Sequence, residues 1–198
     1  MQIDLDLLFT WGAVAKKYQK GDTVFYEDDL ALFYYQVVEG SVKMFCTNED
    51  GKEFTQGVFN KGKSFGEPPL FIDQVYPSSC LANEESVIIK ISKEKFLTII
   101  SEYPEINKSF LQLLALRAYS KVITSKNIIN QKPEFRIVAF LMDFKKKNEI
   151  SVNTKIQIPY TRQEIADFTG LRVETVIRTL TEMKKNKKVE ITNHKLFF

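Results

Sequence analysis

An α+β fold in two parts is predicted, and three observations predict it. Between residues 23 and 91, short runs of Val, Ile, Phe and Tyr are broken every few residues by Gly and Asp, the spacing of an antiparallel sandwich or barrel. From Pro104 onward the apolar residues recur at helical intervals. Residues 160–183 spell a helix, a tight glycine turn and a second helix.

The strands are expected over 24–26, 33–38, 42–46, 54–59 and 87–91, with turns at Glu39-Gly40, Asp50-Gly51 and Lys61-Gly62. A short helix is expected over 93–101 and a long one from Pro104 to about residue 130. Leu111, Leu114, Ala118, Val122 and Ile129 give the long helix apolar surface on more than one side, as a helix needs if it covers a barrel and also pairs with a second chain. A helix fully buried within one chain would show the same pattern. Pro133 restricts the residue before it and favours a new helix start, so the boundary falls there, giving parts 1–131 and 132–198. The second part opens with a helix over 134–147, whose apolar side is Ile137, Val138, Phe140, Leu141 and Phe144, and a strand over 155–158.

Thr161 can cap the next helix, with Glu164 three residues on completing a capping box. Ile165 and Phe168 are its apolar side, small Ala166 admits a neighbouring helix, and Gly170 can take the left-handed conformation between helices. Val173, Val176, Ile177 and Leu180 continue an apolar pattern, while Glu174, Thr175 and Arg178 project near the start of the second helix, where a recognition helix meets base edges. An Arg can donate two bonds to guanine, and a Glu can accept from the cytosine amino group. A strand over 187–192, a turn at Asn193 and His194 and a returning strand over 195–198 complete a wing. The lone His194 has no nearby His or Cys, so it reads as a surface turn residue or a phosphate neighbour and not as a metal ligand.

Charge is uneven. Residues 133–198 carry 13 Lys and Arg against 8 Asp and Glu, while residues 1–132 carry 15 against 17, so positive potential sits in the part that would meet phosphates. Lys184, Lys185, Lys187 and Lys188 are either a solvated helix end or contacts to the DNA backbone. Cys46 and Cys80 read as small buried apolar residues, with a two-cysteine redox switch as the alternative. Residues 1–9 contain Asp4 and Asp6 and no basic start, and no run of 18 apolar residues occurs, so neither a signal peptide nor a membrane span is expected and the chain is read as cytoplasmic.

The second part resembles the winged helix-turn-helix of the Crp-Fnr superfamily of bacterial transcription regulators, whose motif runs T-R-x-E-I-A-x-x-x-G-x-x-x-E-T-V-x-R. Thr161, Arg162, Glu164, Ile165, Ala166, Gly170, Glu174, Thr175, Val176 and Arg178 stand at those places. The resemblance covers nearly all of the chain. It implies a jelly-roll barrel of the cyclic-nucleotide-binding type, a long dimerisation helix and a DNA-binding domain. The implied partners are double-stranded DNA as a palindrome, a second copy of the chain and RNA polymerase. On this reading Glu174 and Arg178 read bases, Val173 touches a thymine methyl, and Thr161, Arg162, Gln163, Arg172 and Thr175 position the helix, mostly through phosphates. The V-E-T-x-x-R arrangement is similar to that of oxygen-responsive members, which implies a T-T-G-A-like half-site, although Ile177 replaces their usual serine. The cysteine-ligated iron-sulfur cluster of some members normally needs four cysteines, and this chain has two.

In nucleotide-binding members an F-G-E sequence is followed by an R-S or R-T pair, the Arg countering the cyclic phosphate and the Glu accepting from the ribose. Phe65, Gly66 and Glu67 match, but Pro77 stands in the place of the Arg, followed by Ser78. Residues 64–82 contain no Lys or Arg, carry Glu67 and Asp73, and lose backbone donors at Pro68, Pro69 and Pro77, which leaves a desolvated anion without a counter-charge. Lys121 and Val122 fall where nucleotide binders offer small hydroxyl side chains to the base, with Thr124 and Ser125 nearby. Gly66, Glu67, Pro77, Ser78, Lys121 and Thr124 thus outline an effector pocket unsuited to cyclic AMP, while a different small-molecule effector stays open. Glu67 otherwise caps the segment after it or pairs with a basic side chain.

The rival readings are a protein-interaction module with a degenerate DNA-binding domain and a cupin-like enzyme. Metal chemistry in the barrel would want clustered His and carboxylates, but residues 1–132 contain no histidine, and the chain carries no P-loop or dinucleotide fingerprint. The expectation is therefore a non-enzyme with neither cofactor nor metal.

Overall fold

The computed structural model describes residues 3–49, 51–129 and 132–198, without the side chains of 124–129. The chain divides into two compact units, Met1–Tyr119 and Ser120–Phe198. The boundary expected at 131/132 involves Gln131, which lies outside the described residues.

The first unit opens with α1 (Leu5–Thr10), capped by Asp4, whose carboxylate accepts from the Leu7 amide. Eight strands follow: β1 (Val14–Tyr18), β2 (Thr23–Phe25), β3 (Phe33–Glu39), β4 (Ser41–Thr47), β5 (Glu53–Asn60), β6 (Ser64–Phe65), β7 (Ser79–Ala82) and β8 (Ser86–Ser92). Their pairing is antiparallel throughout, in two four-stranded sheets of order β1-β8-β3-β6 and β2-β7-β4-β5. This is the expected jelly-roll-like architecture. The short α2 (Pro68–Ile72) interrupts the strands, and α3 (Lys93–Glu102) and α4 (Pro104–Ile129) follow them.

The two sheets close over Val37, Val42, Phe65, Tyr76 and Ile88, each at most 1% exposed, whereas Tyr34, from the other face of β3, stacks on Phe96 of α3. Removing such large apolar side chains from water stabilises the fold by roughly 1.5–3 kcal/mol apiece. Phe25 stacks on Tyr76 with ring centroids 3.8 Å apart, and Tyr35 on Phe65 at 5.5 Å. Gln36 is fully buried and exchanges two hydrogen bonds with the backbone of Ile3, which ties the start of the chain to the sheet.

On α4, Phe110, Leu113, Leu114 and Arg117 are buried or half-buried, whereas Leu111, Ala115, Ala118, Tyr119 and Val122 are exposed. These five recur at i, i+4, i+7, i+8 and i+11, one stripe along the helix, with Leu116 and Ile123 exposed beside it. Leu114 therefore belongs to the inward side, and the side chain of Ile129 lies outside the described residues.

The second unit contains α5 (Pro133–Lys147), β9 (Gln157–Ile158), α6 (Arg162–Thr169), α7 (Val173–Lys185), β10 (Glu190–Thr192) and β11 (Lys195–Phe197). Its sheet has the order β10-β11-β9, with Ile191 opposite Leu196 and Leu196 opposite Ile158. Ile137, Leu141, Ile165, Val176 and Leu180 form its core, all fully buried.

The structure corrects several sequence expectations. α1, β1, β6, α2 and β7 fall outside the predicted elements; β1 reads VAKKY with four of five residues exposed, so it shows little apolar alternation. The wing strand starts at Glu190, not residue 187, because Lys187 and Lys188 close α7: their amides donate to Lys184 and Met183 carbonyls. β9 is the two residues Gln157 and Ile158, shorter than predicted. Ile177, placed in the apolar pattern, is 50% exposed. Cys80 is buried as expected, and burial pushes its thiol pKa up. Cys46 is only half-buried, and its sulfur accepts from Gln56 Nε2 and donates to the Pro77 carbonyl, both at 3.4 Å.

Candidate nucleic-acid interface

The local sequence sets the geometry of α6 and α7. Thr161 Oγ1 accepts from the Glu164 amide at 3.1 Å, and the Glu164 carboxylate accepts from the Thr161 amide at 2.7 Å, so two donors at the helix start are satisfied reciprocally. Gly170 ends α6 at φ 66° with its amide on the Ala166 carbonyl, a left-handed conformation that side chains resist. The chain then turns at Arg172, and α7 begins at once.

One side of α7 is seated by Val176, Leu180 and Met183, each at most 1% exposed. Outward stand Glu174, Ile177, Arg178 and Thr181, at i, i+3, i+4 and i+7, which places them in one row. Two charged groups flank one half-exposed aliphatic side chain in the helix's first half. Val173, expected to touch a thymine methyl, is half-buried and packs against the core, while Ile177 in the outward row is half-exposed. The available signal was phase: on a 3.6-residue wheel Ile177 lies at the margin of the apolar arc, beside the charged row.

The other predicted residues differ in availability. Arg172 is exposed and Thr175 half-buried. The Thr161 hydroxyl is committed to its cap, and Gln163 Nε2 donates to Asp167 Oδ1 at 2.8 Å. Arg162 donates to the His194 carbonyl at 3.4 Å, linking the start of α6 to the exposed wing turn, and partial burial lowers its guanidinium pKa.

In the barrel, Gly66 has φ 73°, and a Cβ there would stand 3.2 Å from the rings of Phe25 and Tyr76. Glu67 is wholly buried. It provides no side-chain cap to α2; its Oε2 instead accepts from Arg117 Nη1 at 2.6 Å, while Arg117 Nη2 donates to the Ser64 carbonyl at 2.7 Å. The guanidinium also stands 5.3 Å from the Phe59 ring centroid. Glu67 Oε1 and Ser64 Oγ are buried without a hydrogen-bond partner among the described residues. Burial first, then the Glu67 carboxylate, raises the Tyr34 phenol pKa.

Of the two readings open for Glu67 without a ligand, capping or pairing with a cation, the structure has the pair. Arg117 was missed, yet it is the only arginine before residue 136. Ser78 is buried and Pro77 exposed; Lys121 is exposed in the second unit, and the Thr124 side chain lies outside the described residues. Asp73 pairs with Lys93. A 510 Å3 depression on this unit is lined by Phe25, Asp28, Asp29, Tyr35 and Tyr76 among others, and by none of the predicted effector residues. Pro77 occupies the place of the phosphate-countering arginine, and the buried Glu67 carboxylate is paired with Arg117.

A two-sheet barrel, a long helix and a capped helix-turn-helix with a wing define a transcription regulator built on a cyclic-nucleotide-binding fold. The cyclic nucleotide-binding domain family matches residues 15–103, and the Crp-like helix-turn-helix domain family matches residues 135–197. The cAMP-activated global transcriptional regulator CRP of Pasteurella multocida is 31% identical over 166 residues, 83% of this chain and 79% of that protein. The nitrogen fixation regulation protein FixK of Bradyrhizobium diazoefficiens is 25% identical over 177 residues, 88% of this chain and 73% of its own length. Among solved structures, the c-di-GMP responsive global regulator CLP of Xanthomonas campestris has the same fold with a TM-score of 0.82 at 23% identity, covering 96% of each chain. The chain belongs to the Crp-Fnr family of transcription regulators. These relatives are regulators and not enzymes, and no described helix is long and apolar enough to cross a membrane.

Proposed function

We propose that this chain is a homodimeric regulator that reads a palindromic DNA sequence through α7 and needs no cyclic nucleotide to do so. The observation that carries the reading is the outward row Glu174, Ile177 and Arg178 on a helix whose opposite side is buried. Arg178 donates to guanine, Glu174 accepts from a cytosine amino group, and Ile177 packs on a thymine methyl. Arg162, Gln163, Arg172 and Thr175 contact phosphates together with the Thr161 end of α6, fixing the register of the helix. The stripe Leu111, Ala115, Ala118, Tyr119 and Val122 pairs with the same stripe of a second copy, which places two recognition helices on successive major grooves.

The barrel's part follows from its charges. CRP of Pasteurella multocida is named as cAMP-activated and CLP of Xanthomonas campestris as c-di-GMP responsive. Here Arg117 of α4 supplies the positive charge at Glu67, so the helix is keyed to the barrel by a bond within the chain. Any effector would be of another class and would act by shifting the population of dimer arrangements. The sites of action are the cytoplasm and the promoter, with RNA polymerase as the further partner.

Arg178→Ala should relax preference at one G·C position by about 1–3 kcal/mol while leaving the other positions unchanged. Competition binding with single-base operator variants measures this, and an unaltered preference profile would remove Arg178 from the reading row.

A further inference from the structure

Far from the reading row, the last turn of α7 and the base of the wing enclose a 450 Å3 depression. Its floor is apolar, made by Val189, Phe197 and Phe198, and its rim is basic. Of the rim lysines, Lys155 pairs with Glu190, and Lys188 with Glu134 at 2.5 Å. Lys184 and Lys187 are exposed and have no carboxylate partner among the described residues. The ammonium of Lys145, a residue only 3% exposed, stands 4.6 Å from the centroid of the Phe198 ring and donates to the Val152 carbonyl.

Lys187 holds the left-handed position that closes α7, at φ 59°, with its amide on the Lys184 carbonyl and the next amide on that of Met183, as Glu149 does after α5 at φ 55°. Glycine is the usual occupant there, because a side chain is strained in this conformation.

The depression lies at the far end of α7 from Glu174 and Arg178. At 1.5 Å per residue the last turn of α7 lies roughly 15 Å along the axis from Glu174. The wing turn at His194 is tied to Arg162, whereas Glu190 and Phe197 stand at the opposite end of that hairpin.

We infer that this depression docks an acidic segment of a partner protein. An aromatic or aliphatic side chain of the segment sits on Phe197, Phe198 and Val189, and its carboxylates pair with Lys184 and Lys187. Charge complementarity selects the acidic partner, and the apolar floor selects a peptide over a simple anion, which would leave the floor uncovered. The inference rests on the DNA-reading proposal only for the point that partner and DNA bind at once.

The test is selection of a displayed random-peptide library on the full-length DNA-free protein, followed by titration of the enriched peptides. Peptides with Asp or Glu flanking Phe, Trp or Leu should be enriched. Lys184→Glu with Lys187→Glu should weaken them roughly tenfold or more at physiological salt, and replacing the peptide's apolar residue with Ala should do the same. Lys187→Gly, which suits the left-handed backbone, should also weaken them without lowering the thermal midpoint. The variants' affinity for duplex DNA and its salt slope should be unchanged.

Absence of an acidic-apolar consensus, binding indifferent to the lysine changes, or equal competition by inorganic tripolyphosphate would overturn the inference. So would an equal loss of duplex affinity in the lysine variants, since that makes the rim a phosphate contact. Because peptide binding is read without DNA, failure of DNA reading would leave this result standing and is scored separately.

Discussion

Replacing Arg117 with Met is expected to destabilise the first unit by about 3–5 kcal/mol, the magnitude for removing one partner of a buried ion pair. Glu67 is wholly buried and Arg117 is its counter-ion, so the variant leaves a desolvated carboxylate whose other oxygen already lacks a partner. Exposed ion pairs are worth far less, at most about 1 kcal/mol, which makes the size of the loss diagnostic. Trp11, the chain's only tryptophan, packs against the core of this unit and reports its urea transition. Adding Glu67→Leu to Arg117→Met should recover most of the loss, because two apolar groups leave no orphaned charge. A single-variant effect below about 1 kcal/mol would mean that the pair does not key α4 to the barrel.

Leu180→Ala should cost the second unit about 2–5 kcal/mol, the range for truncating a fully buried leucine. Leu180 is 0% exposed and packs with Ile137, Ile165 and Val176, so the cavity opens beneath the helix that carries Glu174 and Arg178. Amide exchange in α6 and α7 should accelerate, and duplex binding should fall although no DNA-facing side chain has changed. Unaltered exchange protection in α7 would show that its seat does not depend on this core.

How legible each feature was depended on the range of the interactions behind it. The capping box, the glycine turn and the start of α7 are set by residues within three or four positions of one another, and Thr161, Glu164 and Gly170 state them in the sequence. β3, β4, β5 and β8 carry enough β-branched and aromatic residues to be read directly. β1 and the two-residue β6 exist because β8 and β3 pair with them, a tertiary fact that VAKKY and SF do not advertise. The pair joining Glu67 and Arg117 spans fifty positions, so its carboxylate was visible and its partner was not. Ile177 falls in the apolar pattern of the sequence yet is 50% exposed, because hydrophobic periodicity treats every aliphatic residue as core and this one lies at the margin of the buried arc.

The central claim is ligand-free, dimeric, sequence-specific reading through α7, and selection of bound duplexes from a random pool by the purified protein tests it most directly. With no ligand added and the salt concentration fixed, the account predicts enrichment of an inverted repeat with half-site centres about one helical turn, roughly 10 base pairs, apart. Arg178→Ala should lose one G·C position of that repeat. Absence of any enriched sequence, or enrichment that appears only when a cyclic nucleotide is supplied, would contradict the account.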